Sequence, residues 1–391
     1  MGARVLSLLG RAGWGQRLAA AGVSVAVLAS CFASTAGAAT ATTDEADHIL
    51  SIVRAEMSQN DLNAAIIRVQ IGNRNIVTRA LGTSMTGVPA TPQMHFRNGA
   101  VVISYLSTVL LKLVDRKRVS LNDKLSRWLP NLPHANEITL EMLAASRSGY
   151  ADYVADEAFL KALDANPFRA WTRDELIRIG TSKKLLYAPG TSWNYAHTNF
   201  VVLGEALEKI TGKPIAKLIQ DEVLKPLRLR NTQQACTAQI PEPVLHAFTS
   251  ERGTYEESTF WNPSWTLGCG LVDTTNIFDM ATSARAIGTG ALLSEKSHQL
   301  QIAKRSTINK DANAFYGLGI FNVNSWLLQN PSFSGFQGVM AYLPSKKISI
   351  AITTTLGPTA SPTTNYSSTI FDKVSAYLTQ PAQRNTEEMG P

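Results

Sequence analysis

PGTSWNYAHTNFVVLGEALEKITGKP, residues 189 to 214, is the stretch on which the reading of this chain turns. A proline-glycine turn opens it. Tyr195 follows, and apolar residues then recur at helical spacing from about 198 to 210. Thr211-Gly212-Lys213-Pro214 ends the run, with glycine and proline where a helix stops. Tyr195 stands between the turn and the helix start, and His197 two positions on.

Working outward, more helical segments surround this one, at 139–145, 172–179 and 214–225. A helix over 45–57 is expected, with Asp44 as its cap. AAIIRVQIG and NIVTRALG flank Asn73-Arg74 and predict a β-hairpin rich in β-branched residues. FRNGAVVISYLSTVLLKLV, residues 96 to 114, predicts an apolar helix from about Ala100 to Val114. Later, helices are expected at 274–287 and 366–379. YGLGIFNV, FQGVMAYLP and KISIAITTT read as strands, the last two joined through Pro344-Ser345-Lys346-Lys347. β-structure at both ends therefore brackets a helical middle. The fold class is α/β in the α+β sense: an antiparallel sheet from N- and C-terminal strands, flanked by helices, with a helical insertion.

The 391 residues are 45% hydrophobic and 17% charged, enough for a large packed core. Arg4, Arg11 and Arg17 precede the apolar run LAAAGVSVAVLA of residues 18–29, and no acid occurs before Asp44, so residues 1–38 are expected to be an export signal. Ala36-Gly37-Ala38 fits a cleavage site. Leu28-Ala29-Ser30-Cys31 fits a lipid-attachment motif, in which Cys31 would carry the lipid. Removing three arginines lowers the formal charge from +7 to +4, too mild for a dedicated nucleic-acid binder. The Arg116-Lys117-Arg118 run reads as a solvated helix end. Cys236 and Cys269 remain; a disulfide between them is permitted but not dictated by spacing. The histidines at 48, 95, 134, 197, 246 and 298 are scattered, so no metal and no cofactor is expected.

Several stretches together resemble the serine β-lactamase and penicillin-binding-protein superfamily, in its branch of class C β-lactamases, D-alanyl-D-alanine carboxypeptidases and esterases. They are FRNGAVV, SLNDKLSRWLPNLP, LAASRSGYADY, the 189–214 stretch, VLKPLRLRNT and FSGFQGVMAYLPSKKISIAITT, spanning about residues 45 to 375. The resemblance implies one domain over 39–379. An α/β lobe would take about 45–120 and 265–379, and a helical lobe about 121–264. Residues 380–391 read as a loose tail.

In that superfamily, Ser-x-x-Lys at a helix start supplies nucleophile and base, Tyr-x-Asn a proton shuttle and amide contact, and a strand motif of Lys-Thr-Gly or His-x-Gly assists. A spacing of three places the serine and lysine one turn apart on one helix face. Here those two positions are Ala100 and Ile103, and Ser-x-x-Lys occurs nowhere else in the chain. Tyr195-Ala196-His197 keeps the tyrosine and replaces the asparagine. Gln329-Asn330-Pro331 has lost both the basic residue and the glycine. Losing one member of a concerted catalytic unit costs about 10⁴ to 10⁶ in rate. The expectation is a pseudoenzyme holding a cell-envelope peptide, ester or acyl ligand. The competing expectation is an esterase or amidase with a non-family nucleophile near Tyr195 and His197, for which Ser104, Ser146 and Ser148 are the nearby hydroxyls. Trp261 and Trp265 of WNPSW are candidate pocket walls.

Overall fold

The computed structural model describes residues 36–234 and 236–380, with side chains described from residue 43. The expected export signal up to residue 35, Cys31 and the tail from 381 lie outside the described residues.

The first helix, α1, runs Ala36–Asn60, longer than expected, so Asp44 lies inside it rather than capping it. The hairpin β1 (Leu62–Ile71) and β2 (Arg74–Met85) follows. Its two-residue turn is Gly72-Asn73, one residue earlier than the sequence suggests. Gly72 takes a φ of 60°, which glycine adopts without a Cβ penalty. Two short strands, β3 (Val88–Pro89) and β4 (Phe96–Arg97), lead into α2 (Val101–Asp115). Every α2 residue from Val101 to Leu111 is buried. A helix that is apolar all round belongs in a core, and α2 packs against the later helices of both lobes.

The helical middle contains α3 (Leu140–Ala144), α4 (Glu157–Ala165), α5 (Arg173–Thr181), α6 (His197–Thr211) and α7 (Ile215–Ile219), which passes into a π turn at Gln220–Leu224. Side-chain oxygens fix the starts of three of these helices: Thr139 for α3, Asp156 for α4 and Thr172, in a full capping box with Glu175, for α5. Gly212, at a φ of 69°, ends α6 as the sequence implies. Short strands β5 (Gln233–Gln234), β6 (Phe248–Thr249), β7 (Glu256–Glu257) and β8 (Asp273–Thr275) follow, then α8 (Ile277–Thr289) and α9 (Glu295–Ile302). The remaining elements are β9 (Ser306–Ile308), β10 (Asp311–Tyr316), β11 (Phe321–Val323), β12 (Trp326–Gln329), β13 (Ser332–Phe333), β14 (Phe336–Leu343), β15 (Ile348–Leu356) and α10 (Tyr366–Thr379). Helices α4 and α9 are additions to the sequence reading.

The main sheet runs β3-β2-β1-β15-β14-β12-β11-β10-β9, with β13 on β14, and neighbouring strands pair antiparallel. The N-terminal hairpin joins the C-terminal strands through β1 and β15, with Ile67 opposite Ile352. Strands β14 and β15 are buried along their whole length, because α8 and α10 both pack against them. A small sheet, β4-β8-β5, ties the start of α2 to the helical middle. Cys236 and Cys269 form a disulfide closing a separation of 33 residues. A loop of that size contributes about 3–4 kcal/mol in the chain-entropy account.

Candidate functional site

The site is assembled where three elements meet: the start of α2, the loop entering α6, and the turn from β12 to β13. Ala100 is the N-cap of α2, in helical geometry and without a side-chain cap. Ile103, one turn on, is completely buried. The two family positions therefore hold a methyl group at the helix mouth and a core side chain behind it.

Gln329, at the end of β12, is 1% exposed. Its Nε2 donates to the Gly319 carbonyl at 2.7 Å. The same carbonyl accepts from Ser104 Oγ at 3.0 Å, and the Gly319 N–H donates to Ala144 at 2.9 Å. Gly319 leaves no room for a Cβ, which would lie 2.8 Å from the Ile103 carbonyl oxygen and closer still to Ser107 Oγ. Gln329 thus ties β12 to the segment lying on α2 and makes no contact that suggests acid–base work.

Tyr195 reaches the same region through an aromatic cluster. Its ring lies 6.1 Å from that of Tyr316 and 5.7 Å from that of Phe321. Burial holds the Tyr316 hydroxyl well above the usual tyrosine range. Burial pushes the Tyr195 hydroxyl well above the usual tyrosine range, and the charge of Asp152 pushes it further. A phenolate needs cations beside it. With Ile103 and Gln329 at the family's basic positions, the Tyr195 hydroxyl keeps its proton at neutral pH.

His197 is the first residue of α6. Its backbone N–H donates to Asp152 Oδ1 at 3.1 Å, and its Nδ1 lies 3.0 Å from Asp152 Oδ2. Asp152 also accepts from the Val154 N–H, at 3.3 Å. With Nδ1 donating to the carboxylate, Nε2 is left as the accepting nitrogen. The Tyr195 ring stands edge-on to the imidazole, centroids 5.3 Å apart. The sequence reading gives Asp152 no role. Its only linear signal is its place in SGYADY, since its partner lies 45 residues away.

The nearby serines are structural. Ser146, fully buried, donates to the Asn194 carbonyl at 2.8 Å and accepts from the Ala196 N–H at 3.0 Å and from Asn199 Nδ2 at 3.1 Å. It clamps the loop that presents Tyr195. Ser148 accepts from the Tyr150 N–H at 3.0 Å and is equally buried. Ser104 is spent on Gly319 and has no solvent access. Lys112 is paired with Glu222 at 2.9 Å, away from this region.

Above the helix mouth, a Cβ on Gly99 would meet Pro331 Cβ at 2.6 Å and the Phe333 ring at 3.0 Å. The β12–β13 turn therefore roofs the start of α2 with apolar groups. Trp261 and Trp265 line a neighbouring pocket with Phe333 and Phe336, as walls, while the Trp265 and Phe333 rings meet edge to face at 6.0 Å.

Comparison with known proteins places this geometry. The Escherichia coli K12 D-alanyl-D-alanine-carboxypeptidase/endopeptidase AmpH is 28% identical over 193 residues, 47% of this chain and 48% of that protein. The esterase EstB of Burkholderia gladioli is 29% identical over 39% of this chain and 42% of its own length. The matched region thus spans about half the length of the curated relatives. Among solved structures, a D-amino acid amidase from Ochrobactrum anthropi SV3 superposes with a TM-score of 0.74 at 19% identity, covering 86% of this chain and all of that one. A penicillin-binding protein from Bacillus halodurans superposes at 0.69 with 17% identity, covering 84% and 99%. Both share the fold expected from the sequence. The sequence profile of the Beta-lactamase family matches residues 49–369, and the chain belongs to that family.

Proposed function

We propose that this chain is an exported member of the β-lactamase family that binds a cell-envelope peptide, ester or acyl ligand without turning it over. The observation that carries the reading is the start of α2: Ala100 offers no nucleophilic atom, and Ile103 is sealed in the core where a base would stand. Three further facts support it. The serines within reach are engaged in holding backbone together. Tyr195 has no cation to lower its hydroxyl. Gln329 is committed to Gly319. Export draws on the arginine-led apolar run at the N-terminus and on the Cys236–Cys269 disulfide, a bond that persists in oxidising compartments. Release after Ala38 and lipidation at Cys31 are told apart by the mass of the mature N-terminus.

The Asp152–His197 pair favours a second reading, an esterase or amidase. A carboxylate orienting an imidazole is the rear half of a hydrolytic triad, which a hydroxyl on the Nε2 side would complete. One experiment separates the two. Purified mature protein is incubated with a serine-reactive fluorophosphonate and with labelled penicillin, then weighed intact. An unchanged mass is the expected result; a covalent adduct on any serine establishes the hydrolase instead.

A further inference from the structure

Next to the roofed helix mouth lies a tightly closed crevice bordered by Arg97, Ser258, Trp261, Trp265, Phe333 and Phe336. Arg97 is only 3% exposed. Its Nη2 donates to the Ala238 carbonyl, and its Nη1 is buried without a partner. Desolvation alone lowers the guanidinium, to about 10, so it remains charged at neutral pH with no carboxylate acting on it. The neighbouring acid, Asp273, does not neutralise it: Arg97 pairs with Thr274 across β4 and β8, so Asp273 projects from the opposite face of that small sheet. A second donor, Trp261 Nε1, is likewise buried without a partner. The pocket hydroxyls are taken, Ser258 Oγ by Ser334 at 2.6 Å and Thr259 Oγ1 by the backbone of Ala247 at 2.9 Å.

A buried charge is normally paired, because its desolvation is otherwise uncompensated. Two spare donors, one of them cationic, inside walls of tryptophan and phenylalanine describe a receptor for an anion with a flat apolar body. Guanidinium geometry matches a carboxylate. We propose that this pocket binds a small carboxylic acid, its carboxylate on Arg97 Nη1 and its apolar part between Trp265 and Phe333. The lining rings leave no room for a water-sized sphere as they stand, so occupation requires one of those rings to turn. The inference deepens the ligand-binding reading above by naming the chemistry of one end of the ligand; it does not depend on whether the site is catalytically silent.

The test titrates the purified mature chain with phenylacetate and with phenylacetamide, its uncharged counterpart, following tryptophan fluorescence and thermal midpoint. The acid is expected to bind at least about tenfold more tightly than the amide, a difference of about 1.4 kcal/mol, and to raise the midpoint where the amide does not. Arg97→Met should reduce acid binding to the level of the amide. If Arg97→Met does not fold, Trp261→Phe, which removes only the indole N–H, should weaken the acid selectively. Equal binding of acid and amide overturns the proposal, as does no saturation by the acid at about 10 mM. A covalent serine adduct in the earlier experiment would remove the non-catalytic reading and leave this one standing, whereas loss of the acid preference would do the reverse.

Discussion

Two buried aspartates, one at each side of the site, stand in opposite conditions. Asp152 accepts from two N–H groups of backbone and from an imidazole. Asp273 is completely buried, and neither carboxylate oxygen has a partner. The first lies on the loop after α3 and holds His197 at the start of α6. The second belongs to β8, whose backbone carbonyl receives the Asn98 N–H just ahead of Ala100. One side of the site is thus a finished polar network, and the other is a helix mouth carrying Ala100, roofed by Pro331 and Phe333. On the non-catalytic reading proposed above, the contrast teaches that a scaffold outlasts its chemistry where the remaining polar groups hold backbone together.

The strongest way to break this comparison is to put the missing base back. Ile103→Lys places an ammonium at a position with no exposure. The cost is about 3–5 kcal/mol, the range found when a buried charge is left unpaired. Urea unfolding of Ile103→Lys, alone and with Ala100→Ser, is expected to show that loss, and the double variant is expected to remain unlabelled by penicillin. A double variant with unchanged stability and rapid acylation would mean that the helix mouth is preserved for catalysis after all.

Asp273 sharpens the comparison through pH. Burial raises its carboxyl well above the usual range. The native state therefore holds a proton that the unfolded chain releases above about pH 3.9. Its stabilising share is complete below that pH and is lost as pH rises toward the native value, by about 1.4 kcal/mol per pH unit. Asp273→Asn cannot titrate, so its stability relative to the parent should climb between pH 4 and pH 6. Denaturant midpoints of both proteins across that interval measure it. Parallel profiles would place an unseen partner on Asp273.

The same two regions show what could be read in the linear sequence. Ala100, Ile103 and Tyr195 were singled out through the resemblance of their flanking stretches to a family, and the fold sets Ala100 at the start of α2 and Tyr195 just ahead of α6. That one sheet unites N- and C-terminal strands was legible because β-rich stretches stand at both ends of the chain, and β1 and β15 pair as that requires. The Asp152–His197 pair was not, since it joins two loops 45 residues apart. Nor was the Cys236–Cys269 bond, which spacing left open. Helix α9, EKSHQLQI, has too few apolar residues to mark a helical face and depends on the Ser294 cap. The roof of Pro331 and Phe333 depends on a turn whose path only packing decides.

On the finished side, removing the Asp152 carboxylate should cost less than filling the helix mouth with charge. Asp152→Ala leaves the His197 N–H and imidazole without their acceptor, a loss of about 1–3 kcal/mol. Guanidinium unfolding gives the value, and the His197 imidazole signals in NMR should broaden or shift as the ring loses its anchor. No change in either would show that the loop, rather than the carboxylate, positions the ring.

The smallest effect expected is at the residue most suggestive of catalysis. Tyr195 has a hydroxyl held in the protonated form by burial and by Asp152. The ring itself does the packing, against His197, Phe200, Tyr316 and Phe321. Tyr195→Phe keeps every one of those contacts and deletes only an oxygen that has no base to serve. Stability should therefore move by less than about 1 kcal/mol, and hydrolysis of a chromogenic ester should stay at the buffer rate before and after the substitution. Measurable hydrolysis by the parent that disappears in Tyr195→Phe would assign the hydroxyl a proton to carry. The network around Asp152 would then be the live half of an enzyme, and the contrast between the two aspartates would have to be read the other way round.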